Sequence, residues 1–233
     1  VAELYACNTM EKYKKWVLDL DKLDVFNLVD FTFSSHGFIK GEKVFAEMQK
    51  LGFIPKISIE KLRIPIAIIA SDIIRNKEIV YTSGDLFTAL RASVSIPNVL
   101  TPIKTADGLL VDGGVLNPLP INRIPEKNAD FTVAVYDNTL IPYKKPTLPK
   151  KPKEQKEKEH STIEHLKEKW IKLFGEDVTS DKTKFKELGY FEIFSHTIQL
   201  MQDKITQFTI DCNPPHVIVQ ISKDASGTFD FYK

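Results

Sequence analysis

Apolar and polar positions along this chain fall into two periods. Between Glu11 and Leu20, the residues Tyr13, Trp16, Val17 and Leu20 recur three and four apart, which predicts an amphipathic helix. Gly41-Glu42-Lys43 opens a second helix that runs through Gln49, with Gly52 as its C-cap. Pro65 to Ala70 is a continuous apolar run, the pattern of a strand buried on both faces. Lys77 to Thr82 is a second strand. Asp85 to Ser93 is a helix that stops before Ile96-Pro97, and Leu109 to Val111 is a short β-prone run. Phe131 to Tyr136 and Val217 to Ile221 are further strands, while Phe31 to Gly41 is predicted as an aromatic, glycine-containing loop. From Phe191 to Thr209 a helix carries Phe194, Ile198, Met201, Ile205 and Phe208 on one face, which is assigned to the core. Strands alternating with helices predict one α/β domain over residues 1–233. Its expected architecture is three-layer α/β/α, with a central, largely parallel sheet that includes Ile66–Ala70, Phe131–Tyr136 and Val217–Ile221.

The pattern breaks between residues 143 and 160. The stretch YKKPTLPKKPKEQKEK is rich in Pro and Lys and poor in apolar side chains, so it cannot bury enough surface to order itself. It is expected to be an exposed, flexible insertion within the domain, because the strand at Val217 is still needed to finish the sheet. Beyond it, Ile163, Leu166, Trp170, Leu173 and Phe174 form one apolar helical face, read first as packing on the domain and second as a lid that touches a membrane surface.

Composition narrows the function by exclusion. With 32 basic and 31 acidic residues the formal net charge is +1, so nothing in the global balance favours nucleic acid as a partner. The aromatic residues are not interleaved with a basic stripe either. No apolar run is long enough to cross a bilayer. Cys7 and Cys212 lack any metal-type spacing and read as free thiols, which points to a reducing compartment and a cytoplasmic location. The five histidines form no ligand pattern, so no metal is expected. Ser58-Ile59-Glu60-Lys61 fits S-x-x-K without its companion motifs and is treated as chance.

The stretch with candidate chemistry is Leu109-Leu110-Val111-Asp112-Gly113-Gly114. Read plainly, Asp-Gly after a strand is a turn, and Gly113 and Gly114 are free to take positive φ. Read functionally, the acid ends an apolar strand and sits beside bare backbone, where partial desolvation can raise its pKa into the range of a useful general base.

Three blocks carry a resemblance. They are Ile64-Pro65-Ile66-Ala67-Ile68-Ile69-Ala70-Ser71-Asp72, then Leu90-Arg91-Ala92-Ser93-Val94-Ser95-Ile96-Pro97, then Leu110-Val111-Asp112-Gly113-Gly114-Val115 with Asn117-Pro118-Leu119-Pro120. In this order and at these spacings the chain resembles the patatin-like phospholipase family, chiefly its bacterial members. The resemblance implies an acyl hydrolase with a serine–aspartate dyad and no metal or organic cofactor. Asp112 matches the family's aspartate, and Gly113 and Gly114 match its site-shaping turn. The serine elbow G-x-S-x-G and the Gly-rich oxyanion loop have no counterpart in the sequence. Val1 to Cys7 resembles the helix after the elbow, so the serine is expected just upstream of Val1, with Asp112 facing the region of Val1 to Tyr5. Phe229 to Lys233 reads as the start of a further helix. The implied substrates are lipids or other acyl esters, with transient contact to a membrane surface. The alternative is an inactive relative that binds lipid or a membrane surface.

Overall fold

The computed structural model describes residues 1–20, 22–34, 37–124, 131–139, 141–143, 190–223 and 225. Three helices open the chain: α1 (Ala2–Ala6), α2 (Met10–Asp19) and α3 (Lys22–Leu28). A hairpin of β1 (Phe31–Ser34) and β2 (Gly37–Ile39) leads to α4 (Glu42–Lys50). Then come β3 (Ile68–Asp72), β4 (Lys77–Tyr81), α5 (Leu86–Ser93), β5 (Ile103–Lys104) and β6 (Leu109–Asp112). The last elements are β7 (Val133–Thr139), α6 (Tyr190–Cys212) and β8 (Val217–Ser222).

β3 is the spine of the molecule. All five of its residues are buried, as its unbroken apolar run requires. It pairs antiparallel with β4 on one side and β6 on the other, giving the sheet order β4-β3-β6-β5. Its end is closed by Asp72. That carboxylate accepts from the backbone N–H of Ile74 (3.0 Å), Arg75 (3.1 Å) and Leu109 (3.4 Å), and from Arg75 Nε (2.6 Å). A Cβ on Gly108 would lie 2.3 Å from Asp72 Oδ2, so only glycine lets the chain pass there into β6. α5 packs on β3 and β6, and Asp85 caps it by accepting from Thr88 N at 2.8 Å.

The main core lies between this sheet and the N-terminal helices. Leu4, Phe45, Phe53, Ile59, Ile68, Leu86 and Leu90 are buried there. Tyr13 meets Phe53 edge-on, ring centroids 5.6 Å apart, and Trp16 leans on the same ring. Asp30 holds the start of α4 by accepting from Gly41 N (2.6 Å) and Glu42 N (2.8 Å).

The structure corrects several expectations. Helices and strands alternate in the α/β manner, but the four-stranded sheet is antiparallel throughout; among the described residues the parallel pair is β7–β8. The three strands expected in one sheet are divided between these two. The antiparallel pairing of β3 with β4 follows from connection length. Ile73 to Asn76, between β3 and β4, is far too short for the crossover that parallel strands need. Phe31 to Gly41 contains a short hairpin instead of a loop. On α6 the face assigned to the core is only partly covered: Phe194, Ile198 and Ile205 are half-buried, whereas Met201 and Phe208 are 58% and 69% exposed. Its most buried side chain is Thr206, at 1%. The Lys- and Pro-rich stretch from Lys144 to Lys158, the apolar face from Ile163 to Phe174 and the segment Phe229–Lys233 lie outside the described residues. No helix among the described residues is long and apolar enough to cross a membrane.

Candidate active site

Asp112 ends β6, opposite Ala70 of β3. Its N–H donates to Ser95 O at 3.0 Å, which ties the strand end to the loop after α5. That loop is itself fixed from within. Arg91 is 5% exposed and donates from Nη1 to Ser95 Oγ (2.8 Å) and from Nη2 to Thr101 O (3.0 Å).

After Asp112 the chain makes a single tight turn, Gly113–Val115. The carboxylate closes it, with Oδ1 accepting from Gly114 N at 2.6 Å. Neither glycine of this turn takes a positive φ, contrary to the sequence-based expectation. They are needed for space. A Cβ on Gly113 would lie 2.4 Å from Ile69 O, and one on Gly114 would lie 3.0 Å from Asp112 Oδ1. The Gly113 carbonyl accepts from Asn117 N (2.9 Å) and Leu116 N (3.1 Å), and buried Ser71 Oγ approaches it at 3.4 Å. These donors polarise the same peptide whose N–H serves Asp112.

Asp112 faces a cavity of about 710 Å³. The opposite wall is built from β7 and α6, mainly Tyr136, Asn138, Gln199, Gln202, Asp203 and Thr206, with Lys223 at the edge. The wall is cross-linked: Asp203 Oδ1 accepts from Tyr136 OH (2.6 Å) and Asn138 Nδ2 (2.7 Å), and Gln199 Nε2 donates to Asn138 Oδ1 (2.6 Å). Burial, with Asp203 as acceptor, pushes the Tyr136 hydroxyl up to about 12. Burial likewise pushes the Asp112 carboxyl above its ordinary range, and the Gly114 N–H pulls it part of the way back. Asp112 Oδ2 has no hydrogen-bond partner among the described residues, so one oxygen is anchored and the other is available.

The structure therefore brings Asp112 and Gly114 together with residues that sequence reasoning missed, Gln202 above all. Their signal was present. Gln199, Gln202, Asp203 and Thr206 recur at helical spacing, a polar stripe as regular as the apolar one beside it. The sequence leads us to expect Val1 to Tyr5 on the side that Asp112 faces. None of those residues lines the cavity, and Leu4 packs in the main core with Ile68. Ser58 and Lys61 line a separate cavity of about 470 Å³, but Lys61 is exposed, and a solvated lysine is not a base for the serine. Among the described residues no group of three His, Cys, Asp or Glu side chains is placed to hold a metal ion.

Comparison with known proteins adds an independent line. The family model described as patatin-like phospholipase matches residues 1–123, a span that includes Asp112, Gly113 and Gly114. An uncharacterized NTE family protein of Mycobacterium tuberculosis is 33% identical over 135 residues, 58% of this chain and 37% of that protein. The neuropathy target esterase sws of Drosophila melanogaster is 30% identical over 128 residues, 54% of this chain and 8% of that protein. Patatin-like phospholipase domain-containing protein 7 of Rattus norvegicus is 28% identical over 124 residues, 52% of this chain and 9% of that protein. The aligned part thus spans little more than a third of the mycobacterial relative and under a tenth of the two animal ones.

Proposed function

The chain belongs to the patatin-like phospholipase family, in the three-layer α/β/α fold class, and from that premise we propose that it carries the base of a lipid acyl hydrolase. Asp112 is that base, and the nucleophile is a serine upstream of Val1. The observation that supports this reading best is the state of Asp112. It is a half-buried carboxylate, raised by burial, with one oxygen fixed by Gly114 N–H and the other open to a cavity.

A serine hydroxyl is a weak nucleophile until its proton is taken. In the proposed reaction Asp112 accepts that proton as the serine oxygen bonds to the ester carbonyl carbon. The tetrahedral oxyanion collapses, the ester C–O bond breaks, and the departing alcohol takes the proton back from Asp112. Water then gives a proton to Asp112 and its oxygen bonds to the acyl carbon. When that second intermediate collapses, the fatty acid leaves and the serine regains its proton. A raised pKa makes the carboxylate a better base than a free aspartate at neutral pH. Gly113 and Gly114 leave backbone without side chains beside the reacting carbonyl. The substrates are lipid acyl esters, reached by transient contact with a lipid surface.

The test is Asp112→Asn in the intact protein, assayed with a p-nitrophenyl ester. The amide can still accept from Gly114 N–H, so the turn survives. It cannot take the serine proton, and activity is expected to fall on the order of 10²-fold or more. Activity near the parent level would leave Asp112 as a turn residue only.

A further inference from the structure

α6 presents the unusual feature of the site. It turns Gln199, Gln202, Asp203 and Thr206 toward the cavity, while Leu200, Met201 and Phe208 stay exposed. Burying polar groups in place of apolar ones costs free energy unless each finds a partner. Gln199 and Asp203 find theirs on β7, in Asn138 and Tyr136. Gln202 is different. Its Nε2 donates at 3.0 Å to the carbonyl of Gly114, in the turn that follows the acid.

We propose that Gln202 is a positioning residue for Asp112: from α6 it holds the Gly114 carbonyl, on the peptide that follows, and so limits rotation at the Gly114 Cα and keeps the preceding Gly113–Gly114 peptide, with its N–H, aimed at the carboxylate. The inference rests on the reading of Asp112 as the base. The geometry has three fixed points. Asp112 N is tied to Ser95 O (3.0 Å), the Gly113 carbonyl to Asn117 N (2.9 Å), and the Gly114 carbonyl to Gln202. The third point is the one supplied from α6. A Cβ on Gly114 would lie 3.0 Å from Asp112 Oδ1 and 3.2 Å from Gln202 Nε2, so this glycine is gripped between the two side chains. Glycine is also the residue whose backbone rotates most freely when a constraint is removed. Gln202 thus restrains the most mobile link next to the carboxylate.

The consequence is a pH signature. The Gly114 N–H is the interaction that opposes burial at Asp112. If the peptide swings away, the carboxylate loses that donor and holds its proton to higher pH. The ionisable groups facing Asp112 are Asp203 on α6, Tyr136 and Asp137 on β7, and Lys223 after β8, with Arg91 of α5 behind Ser95. Gln202 is neutral, so Gln202→Met alters none of these charges.

The experiment compares Gln202→Met with Gln207→Met in the intact protein. Gln207 is exposed on the same helix, lies outside the cavity wall, and its bond goes to Asp211. Two readouts are taken: the pH profile of kcat/KM on a p-nitrophenyl ester, and the carbon-13 titration of the Asp112 carboxyl, assigned by its disappearance in Asp112→Asn. Gln202→Met is expected to move the acid limb to higher pH. At a pH on that limb the rate should fall about tenfold, the scale of one charge-assisted hydrogen bond. The plateau should change little, and the Asp112 titration should move in the same direction. Gln207→Met should leave both in place. Gln202→Glu keeps the shape, loses the donor and adds a like charge, so its limb should move further; it serves if the Met variant does not fold. A folded Gln202 variant in which neither readout moves overturns the inference and leaves Asp112 as the base. An Asp112→Asn protein with parent activity overturns the base itself, and the inference with it.

Discussion

Two acids end two neighbouring strands of the same sheet, and their surroundings are opposite. Asp72 ends β3 and stands opposite Leu110, whereas Asp112 ends β6 and stands opposite Ala70, so they occupy opposite ends of the strand pair. Asp72 is fully buried, yet three backbone N–H groups and the Arg75 guanidinium outweigh burial and hold its carboxyl at about 2. Asp112 is half-buried and collects one N–H, which does not outweigh burial, so its carboxyl is pushed up. One local motif, an apolar strand that runs into Asp and a turn, gives a clamp at one end and an open carboxylate at the other. The number of donors aimed at the carboxylate separates the two outcomes.

The sharpest way to break this contrast is to remove each charge in turn. Asp112→Asn should cost on the order of 10²-fold or more in activity without lowering the melting temperature. The sign follows from linkage. A carboxyl raised in the folded state binds its proton more tightly there than in the unfolded chain, so its ionised form disfavours the fold at neutral pH. Asp72→Asn should do the reverse, lowering the melting temperature by about 5 °C or more while kcat/KM of the folded protein stays near the parent value. Thermal melts read by circular dichroism, beside the ester assay, check both. An Asp72 variant that is stable but inactive would exchange the two roles.

Gly113→Ala sharpens the claim that the turn at Asp112 is set by packing. Its methyl would meet Ile69 O at 2.4 Å, so the backbone must move. A loss of about 3 kcal/mol is expected in urea unfolding. A variant as stable as the parent would show that the turn has room.

Acid separates the two carboxyls again. Asp72 is depressed in the fold, so its stabilising contribution is complete above about pH 4, its unfolded value, and is lost as pH falls toward about 2. Asp112 contributes with the opposite sign, its cost relieved as pH falls through its raised value. Urea midpoints between pH 5 and 2 should therefore fall less steeply in Asp72→Asn than in the parent, and at least as steeply in Asp112→Asn. The smallest effect is expected away from both acids. Leu110, 1% exposed, should cost about 3 kcal/mol as Ala. Val219 of β8, 44% exposed, should cost less than about 1 kcal/mol as Ala. A larger loss at Val219 would mean that this strand face is covered in the intact protein.

Much of this was legible in the residues. The run Ile68 to Ala70 announced a doubly covered strand, Asp85 to Ser93 announced the helix α5, and the resemblance singled out Asp112 from the other strand-ending acid. The parallel pairing of β7 with β8 was expected, but the antiparallel pairing around β3 was not, although the few residues between the first two core strands already excluded a parallel crossover there. The cavity's far wall was not legible. It comes from Tyr136 and from Gln199 to Thr206, and only tertiary packing brings these to the turn at Gly114. On α6 the apolar stripe misled, because the helix turns its polar stripe, Gln199 to Thr206, toward the cavity and leaves Met201 and Phe208 exposed.

The difference between the two sheets also has a meaning in time. The antiparallel sheet closes through short loops, as between Asp72 and Lys77, whereas Val133 of β7 must find Val217 of β8. Closing the longer loop costs roughly 2–3 kcal/mol more in chain entropy, and contacts so distant in sequence tend to form late. The strand that carries Asp112 therefore stands ready before the wall that faces it. During refolding, β-sheet signal should return ahead of the proposed esterase activity, so Asp112 waits, already ionisable and already in place, for the last piece of the domain to arrive.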